Sequence, residues 1–175
     1  MKAHPSKHPH VTAILARAGL MGNGTSFFRD FDLERGSAVH QACEYLDHND
    51  LDWSTVDPII LGRVRSYQIF KDEVRPRIFS IEEQVVNETY QYCGTLDRRV
   101  EINGRQGVLD LKGPSRAPWQ AIQLAMYANC FDLPLARWTL HLGDTEYRLI
   151  EHVGRNDWNV ARAAITIAAW RTANE

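Results

Sequence analysis

The stretch Tyr92 to Lys112, YCGTLDRRVEINGRQGVLDLK, constrains the fold more than any other part of this 175-residue chain. Asn103-Gly104 within it is the strongest short hairpin signal a sequence carries, because a type I′ turn needs positive φ at both central residues. With those two residues as the loop, Ile102 faces Arg105. Carrying the register back one residue at a time puts Asp97 opposite Asp110 and Thr95 opposite Lys112. Asp110 and Lys112 are two apart and so share a face of their strand. A longer turn would slip the register and dissolve the pair.

Directly opposed residues have Cβ atoms about 5 Å apart, where like charges are destabilising. At ~5 Å and an effective dielectric of about 20, two carboxylates repel by roughly 3 kcal/mol. A divalent cation between them removes that cost, and hard oxygen ligands suit magnesium or manganese. The alternative is that both aspartates face solvent, with Lys112 relieving the repulsion. On geometry alone both readings stay open.

The remaining periodicities give an α/β domain with a central sheet. From Asp32 to Asn49, Val39, Ala42, Cys43 and Leu46 form one helical stripe, with His40 about 100° off it. Asp57-Pro58 opens a second helix, which Ile60, Val64 and Tyr67 continue to about Glu73. Phe79, Ile81 and Val85 alternate as a strand, followed by the hairpin strands Tyr92–Ile102 and Gly107–Lys112. A helix from about Ala117 to Cys130, strands through Trp138–Leu142 and Tyr147–His152, and a last helix from near Asn156 complete the order. Residues 1–10, with His4, His8 and His10 among prolines, read as a flexible N-terminal arm or a surface strand rather than a metal site. Residues 11–175 read as a single domain.

Composition narrows the function classes. Hydrophobic residues are 44% and charged residues 24%, so the chain can build a core, and its apolar runs are too short for a membrane span. The start, Met1-Lys2-Ala3-His4-Pro5, lacks the apolar core of a signal peptide. Cys43, Cys93 and Cys130 are scattered singly, which argues against disulfides, zinc fingers and a four-cysteine iron–sulfur cluster and for a cytoplasmic protein. Gly19 to Ser26 has phosphate-loop glycine spacing, but Thr25 stands where the lysine is obligatory, so no nucleotide site is expected. With a net charge of −2, a nucleic-acid function needs a local basic patch or bound metal. Trp53 and Trp119 are candidates for stacking on unpaired bases, with burial the simpler reading of Trp119.

Four motifs in order carry a family resemblance. Gly36 to His40 resembles a G-x-x-x-H helix, Gly94-Thr95-Leu96-Asp97 a G-x-x-D, Asp110-Leu111-Lys112 a D-x-K, and Gln123 to Tyr127 a Q-x-x-x-Y. Together they look like the PD-(D/E)XK nucleases, in particular the RecB-like branch and its small stand-alone phage-type members. The resemblance implies a restriction-endonuclease-like core, a central mixed β-sheet flanked by α-helices. It implies metal ligands at His40, Asp97, Asp110 and the backbone carbonyl of Leu111, and a catalytic lysine at Lys112. Gln123 and Tyr127 match the family's substrate- and site-supporting pair. Glu83 is the candidate for a strand glutamate upstream of the G-x-x-D, its register left open by Glu82 beside it. Arg99 and Arg116 are candidate phosphate contacts.

The activity so implied is a metal-dependent deoxyribonuclease using Mg²⁺ or Mn²⁺, without iron–sulfur cluster or nucleotide. Its substrate is single- or double-stranded DNA ends, and exonuclease action is favoured over endonuclease because the resembled branch is mostly exonucleolytic. The setting would be recombination, repair or replication in the cytoplasm of a bacterial host, with a recombinase, single-strand-binding protein, helicase or second copy of the chain as candidate partners and no membrane. The rival readings are a non-catalytic DNA-binding or assembly protein that kept the fold, an endonuclease, and a hydrolase of RNA or another phosphate ester.

Overall fold

The computed structural model describes residues 7–21 and 30–174. The expected arm up to residue 6, with His4, and the Gly22–Ser26 part of the glycine-rich segment lie outside the described residues. In order, the elements are α1 (Val11–Arg17), α2 (Asp30–Asp47), a 3₁₀ turn (Trp53–Thr55), α3 (Pro58–Val74), β1 (Arg77–Asn87), β2 (Tyr92–Ile102), β3 (Arg105–Lys112), α4 (Trp119–Ala128), β4 (Ala136–Leu142), β5 (Tyr147–Glu151) and α5 (Asp157–Ala173). The five strands lie side by side in chain order. Every neighbouring pair is antiparallel except β3 and β4, which are parallel and joined through α4.

Two apolar layers sandwich this sheet. One packs Val39, Cys43 and Leu46 of α2 and Val64, Tyr67 and Phe70 of α3 against Val100, Leu109, Leu111 and Leu140. The other packs α1, α4 and α5 against Val85, Tyr92, Leu96 and Val108. This is the mixed sheet flanked by helices expected of a restriction-endonuclease-like core. Among the described residues, no helix is long and apolar enough to cross a membrane. The three cysteines are free thiols, Cys43 and Cys93 buried.

The hairpin forms in the register its turn dictates. Asn103 and Gly104 both take positive φ, 51° and 75°, and Ile102 pairs with Arg105, Val100 with Gly107 and Arg98 with Leu109. The paired register stops there. One step further, the Asp97 carboxylate accepts the Leu111 N–H at 2.6 Å, so a side chain takes up the next backbone donor. Thr95, expected opposite Lys112, pairs on its other side with Gln84 of β1.

β1 is irregular along the same row. Its register against β2 shifts between Ile78 and Ser80, and Glu82 takes a left-handed φ of 48°. Leu96 belongs to the α4-side layer, yet Val100 and Ile102, of the same parity, belong to the α2/α3-side layer. Strand alternation therefore slips once beside Asp97, as a bulge makes it do.

Residues 8–10 of the expected arm lie along β2: the Cys93 N–H donates to the Pro9 carbonyl at 3.0 Å, and His10 bridges to Cys93. Helix α1 has no counterpart in the sequence reading, although its buried Val11, Ile14 and Leu15 have helical spacing.

Two motif glycines differ in what they permit. A Cβ on Gly94 would lie 2.6 Å from the Tyr127 ring, so the first residue of the G-x-x-D makes room for the last of the Q-x-x-x-Y. A Cβ on helical Gly36 would meet nothing within 4 Å. Gly94→Ala is therefore expected to destabilise the fold by about 1–3 kcal/mol through overpacking, and Gly36→Ala to stabilise it by up to about 1 kcal/mol through helix propensity. Urea denaturation of the two variants checks both signs.

Candidate metal centre

Three elements bring the acidic groups together. Helix α2 supplies His40, β1 supplies Glu82 and β2 supplies Asp97, each offering a ligand atom within 4.8 Å of the others. His40 Nδ1 lies 3.6 Å from Asp97 Oδ2. The site is open on one side, with 33% of the His40 side chain exposed and Asp97 mostly covered. A cleft of about 510 Å³ lined by Gly36, Ser37, His40, Gln41, Glu44 and Glu82 leads to it.

The glutamate that joins the cluster is Glu82, not Glu83. The pairs Ile81–Arg98 and Glu83–Leu96 bracket Glu82 and Asp97, so those two face each other across β1 and β2. Glu83 instead binds Arg99 Nε at 3.1 Å and accepts from Ser80 Oγ. The left-handed backbone at Glu82 decides between them, and no residue type in EEQ announces it. Burial, the Asp97 charge and Glu44 push the Glu82 carboxyl above its ordinary range, while His40 and Arg98 pull it back.

Asp110 and Lys112 form the other half of the centre. Asp110 is almost fully buried and paired with Lys112 Nζ. Desolvation raises the Asp110 carboxyl, the Lys112 ammonium opposes that, and Asp97 adds to it. Burial alone would lower Lys112, but the Asp110 and Asp97 charges outweigh it and hold the amine above its ordinary value. Lys112 also sits over the Trp119 ring, 5.4 Å from its centroid, a cation–π contact. Asp110 stands outside the tight triad of His40, Glu82 and Asp97. Leu111 is present through the N–H that Asp97 accepts.

Gln123 and Tyr127 of α4 are buried and bonded to each other, the amide Nε2 donating to the phenol oxygen at 3.2 Å. Burial and then the Asp110 charge push the Tyr127 hydroxyl up. The two arginines read as phosphate contacts differ in their surroundings. Arg99 is tied to Glu83 and packs on the rings of Phe79 and Phe131. Arg116 is exposed on the loop between β3 and α4.

The motifs do not reveal what braces the cluster from behind. Arg98 is fully buried; its Nε donates to Asp47 Oδ2 at 2.6 Å and its Nη1 to the Asp97 carbonyl at 2.7 Å. Glu82 Oε1 lies 3.5 Å from the same Nη1. Asp47, at the end of α2, also accepts from the Tyr67 hydroxyl at 2.9 Å and pairs with Lys71 at 3.1 Å. On the far side of Lys112, His141 of β4 is its in-register neighbour. His141 Nδ1 lies 2.9 Å from the Gly113 carbonyl, and burial pushes the imidazole toward its neutral form. An unpaired aspartate at a helix end and an arginine beside a motif aspartate are the only traces of this network in the sequence.

Two outcomes follow. Asp47→Ala would leave the Arg98 guanidinium buried without its carboxylate, and a loss of about 3–5 kcal/mol in denaturant unfolding is expected. Glu82→Gln is expected to weaken Mn²⁺ binding, read by calorimetric titration, at least 10-fold, an effect of about 1.4 kcal/mol. Glu83→Gln is expected to leave it within about 2-fold, since Glu83 is engaged by Arg99 and stands outside the triad.

No family model matches the chain, and no curated protein matches it. Among solved structures, the crystal structure of SSO0001 is similar at 15% sequence identity, over 99% of this chain and 79% of that one, with a TM-score of 0.47.

Proposed function

We propose that the protein is a metal-dependent deoxyribonuclease that acts preferentially from DNA ends. The observation that carries this reading is the set His40, Glu82 and Asp97, with ligand atoms within 4.8 Å of one another, standing beside a buried Asp110–Lys112 pair. Crowded carboxylates plus one imidazole fit a small divalent cation, and the imidazole favours Mn²⁺ over Mg²⁺. Glu82 enlarges the ligand set that the family resemblance implies, which is His40, Asp97, Asp110 and the Leu111 carbonyl. Bound there, the ion would supply Lewis-acid polarisation of a phosphoryl oxygen and acidify a water.

The chain's own groups account for the rest of phosphodiester hydrolysis. Lys112, held protonated by Asp110 and Asp97, can donate to the attacking water or to a phosphoryl oxygen and offset the charge that grows in the transition state. A group so strongly held as a cation is poorly suited to accept the water's proton. Asp110 fixes the ammonium from one side and the Trp119 ring borders it. Gln123 and Tyr127, buried and bonded to each other, are the supporting pair that the family resemblance implies. DNA recombination, repair or replication in a phage or bacterial cell is the setting this activity fits, with a recombinase, single-strand-binding protein, helicase or second copy of the chain as partner.

The test is cleavage of end-labelled linear DNA and closed circular DNA with Mn²⁺, Mg²⁺ or EDTA. Loss of linear DNA only, dependent on metal, is the expected result, with Mn²⁺ supporting at least the Mg²⁺ rate. Lys112→Ala is expected to cost at least 100-fold, the order of a single charge-stabilising donor. Nicking of the circle would make the protein an endonuclease. DNA bound but uncut under every metal would favour the non-catalytic reading.

A further inference from the structure

We propose that Arg63 of α3 is the phosphate anchor of this cleft, its guanidinium taking the non-bridging oxygens of one phosphate of the bound DNA strand. The inference rests on the nuclease reading above and adds a substrate contact that none of the four motifs contains.

Two arginines of this fold are buried at the α2/α3 side, and they are treated differently. Arg98 has the Asp47 carboxylate at 2.6 Å and the Asp97 carbonyl at 2.7 Å, and only its Nη2 is buried without an acceptor among the described residues. Arg63 is only 8% exposed, yet its one ionic partner among the described residues is Asp144 Oδ1, 3.6 Å from Nε. That separation is beyond hydrogen-bond length, and the Asp144 side chain is 76% open to solvent. Arg63 Nε is buried without any acceptor among the described residues. A guanidinium cannot shed its charge, so burying one without a carboxylate at hydrogen-bond length is costly. A side chain kept only for packing would not need that charge.

The position of Arg63 says what would meet it. It lines a narrow cleft together with Gly36, His40, Leu111, Lys112 and Gly113. Gly36 and His40 also line the neighbouring cleft that holds Glu44 and Glu82, so one wall separates a cationic side from an acidic, metal-binding side. Gly113 follows the D-x-K directly, and a Cβ built on it would lie 3.8 Å from Arg63 Nη1. The guanidinium thus reaches the backbone next to Lys112. Gly62 lets the β4–β5 turn close over this part of α3, since a Cβ there would lie 2.5 Å from the Asp144 carbonyl oxygen. A strand whose phosphates alternate between a metal ion and a planar cationic fork has matching charge on both sides, and the fork accepts two phosphate oxygens at once.

The experiment is equilibrium binding and cleavage of labelled oligonucleotides that carry a single neutral methylphosphonate, moved one position at a time around the cut. Binding is read by anisotropy with Ca²⁺, another hard oxygen-seeking ion, and cleavage with Mn²⁺. Wild-type protein is expected to lose about 10- to 100-fold when one particular phosphate is neutralised, the range of a charge-assisted hydrogen bond. Arg63→Met is expected to bind all-phosphate DNA about 10- to 100-fold more weakly and to be insensitive at that one position while keeping its sensitivity at others. Arg63→Lys, which keeps the charge but not the fork, should recover part of the loss. Arg63→Met that binds like wild type, or a loss that persists unchanged at every methylphosphonate position in a folded variant, would overturn the proposal. If the wild type binds DNA but never cuts it, the nuclease reading fails and the binding arm still decides Arg63. If the wild type does not bind DNA, both fall.

Discussion

Where β2 and β3 separate, acidic side chains from three adjacent strands come together, Glu82 and Asp97 with ligand atoms within 4.8 Å of each other and of His40, and the buried Asp110 outside that triad. Asp97 is held first by the Leu111 N–H, which its carboxylate accepts at 2.6 Å. Asp110 is held by Lys112, and the Asp97 backbone and Glu82 by the buried Arg98. The repulsion is therefore only partly neutralised by the protein. What remains is concentrated between Asp97, Glu82 and the half-open imidazole of His40, the one side that faces a cleft. That concentration of negative charge beside an imidazole is what the proposed divalent cation would neutralise.

The two layers of the core serve that arrangement in different ways. On the α2/α3 side, Asp47, Tyr67 and Lys71 fix Arg98, so α2 and β2 are locked together where His40 and Asp97 must meet. On the α4 side, Tyr127 packs against the bare backbone of Gly94, and Gln123 is bonded to Tyr127. Motifs far apart in the sequence meet where His40 of α2 approaches Glu82 and Asp97, beside the irregular backbone of β1.

Much of this was legible in the chain. The Asn103-Gly104 turn carries its own backbone requirement, and the register that follows from it is found from Ile102–Arg105 to Arg98–Leu109. The stripes of α2 and α3 and the alternation of β4 likewise reflect burial that residue type alone encodes. Glu82 was not legible, because its place depends on a left-handed backbone at a non-glycine residue in a bulged strand. Helix α1 is only seven residues long and has no side-chain cap, so its three buried residues carry all its signal. Arg98 and Arg63 look alike as letters. Their difference, one with a buried carboxylate at 2.6 Å and one whose nearest carboxylate among the described residues is exposed and 3.6 Å away, exists only once α2, α3 and the sheet are assembled.

The central claim is that a divalent cation binds between His40, Glu82 and Asp97. The most direct measurement is an anomalous difference map from crystals soaked in Mn²⁺, compared with the same crystals of Asp97→Asn. The account predicts a Mn²⁺ peak within coordinating distance of His40, Glu82 and Asp97 in the wild type, lost or greatly weakened in the variant. Ordered side chains at these positions with no Mn²⁺ peak at saturating metal, or a peak bound elsewhere and unaffected by Asp97→Asn, would contradict it.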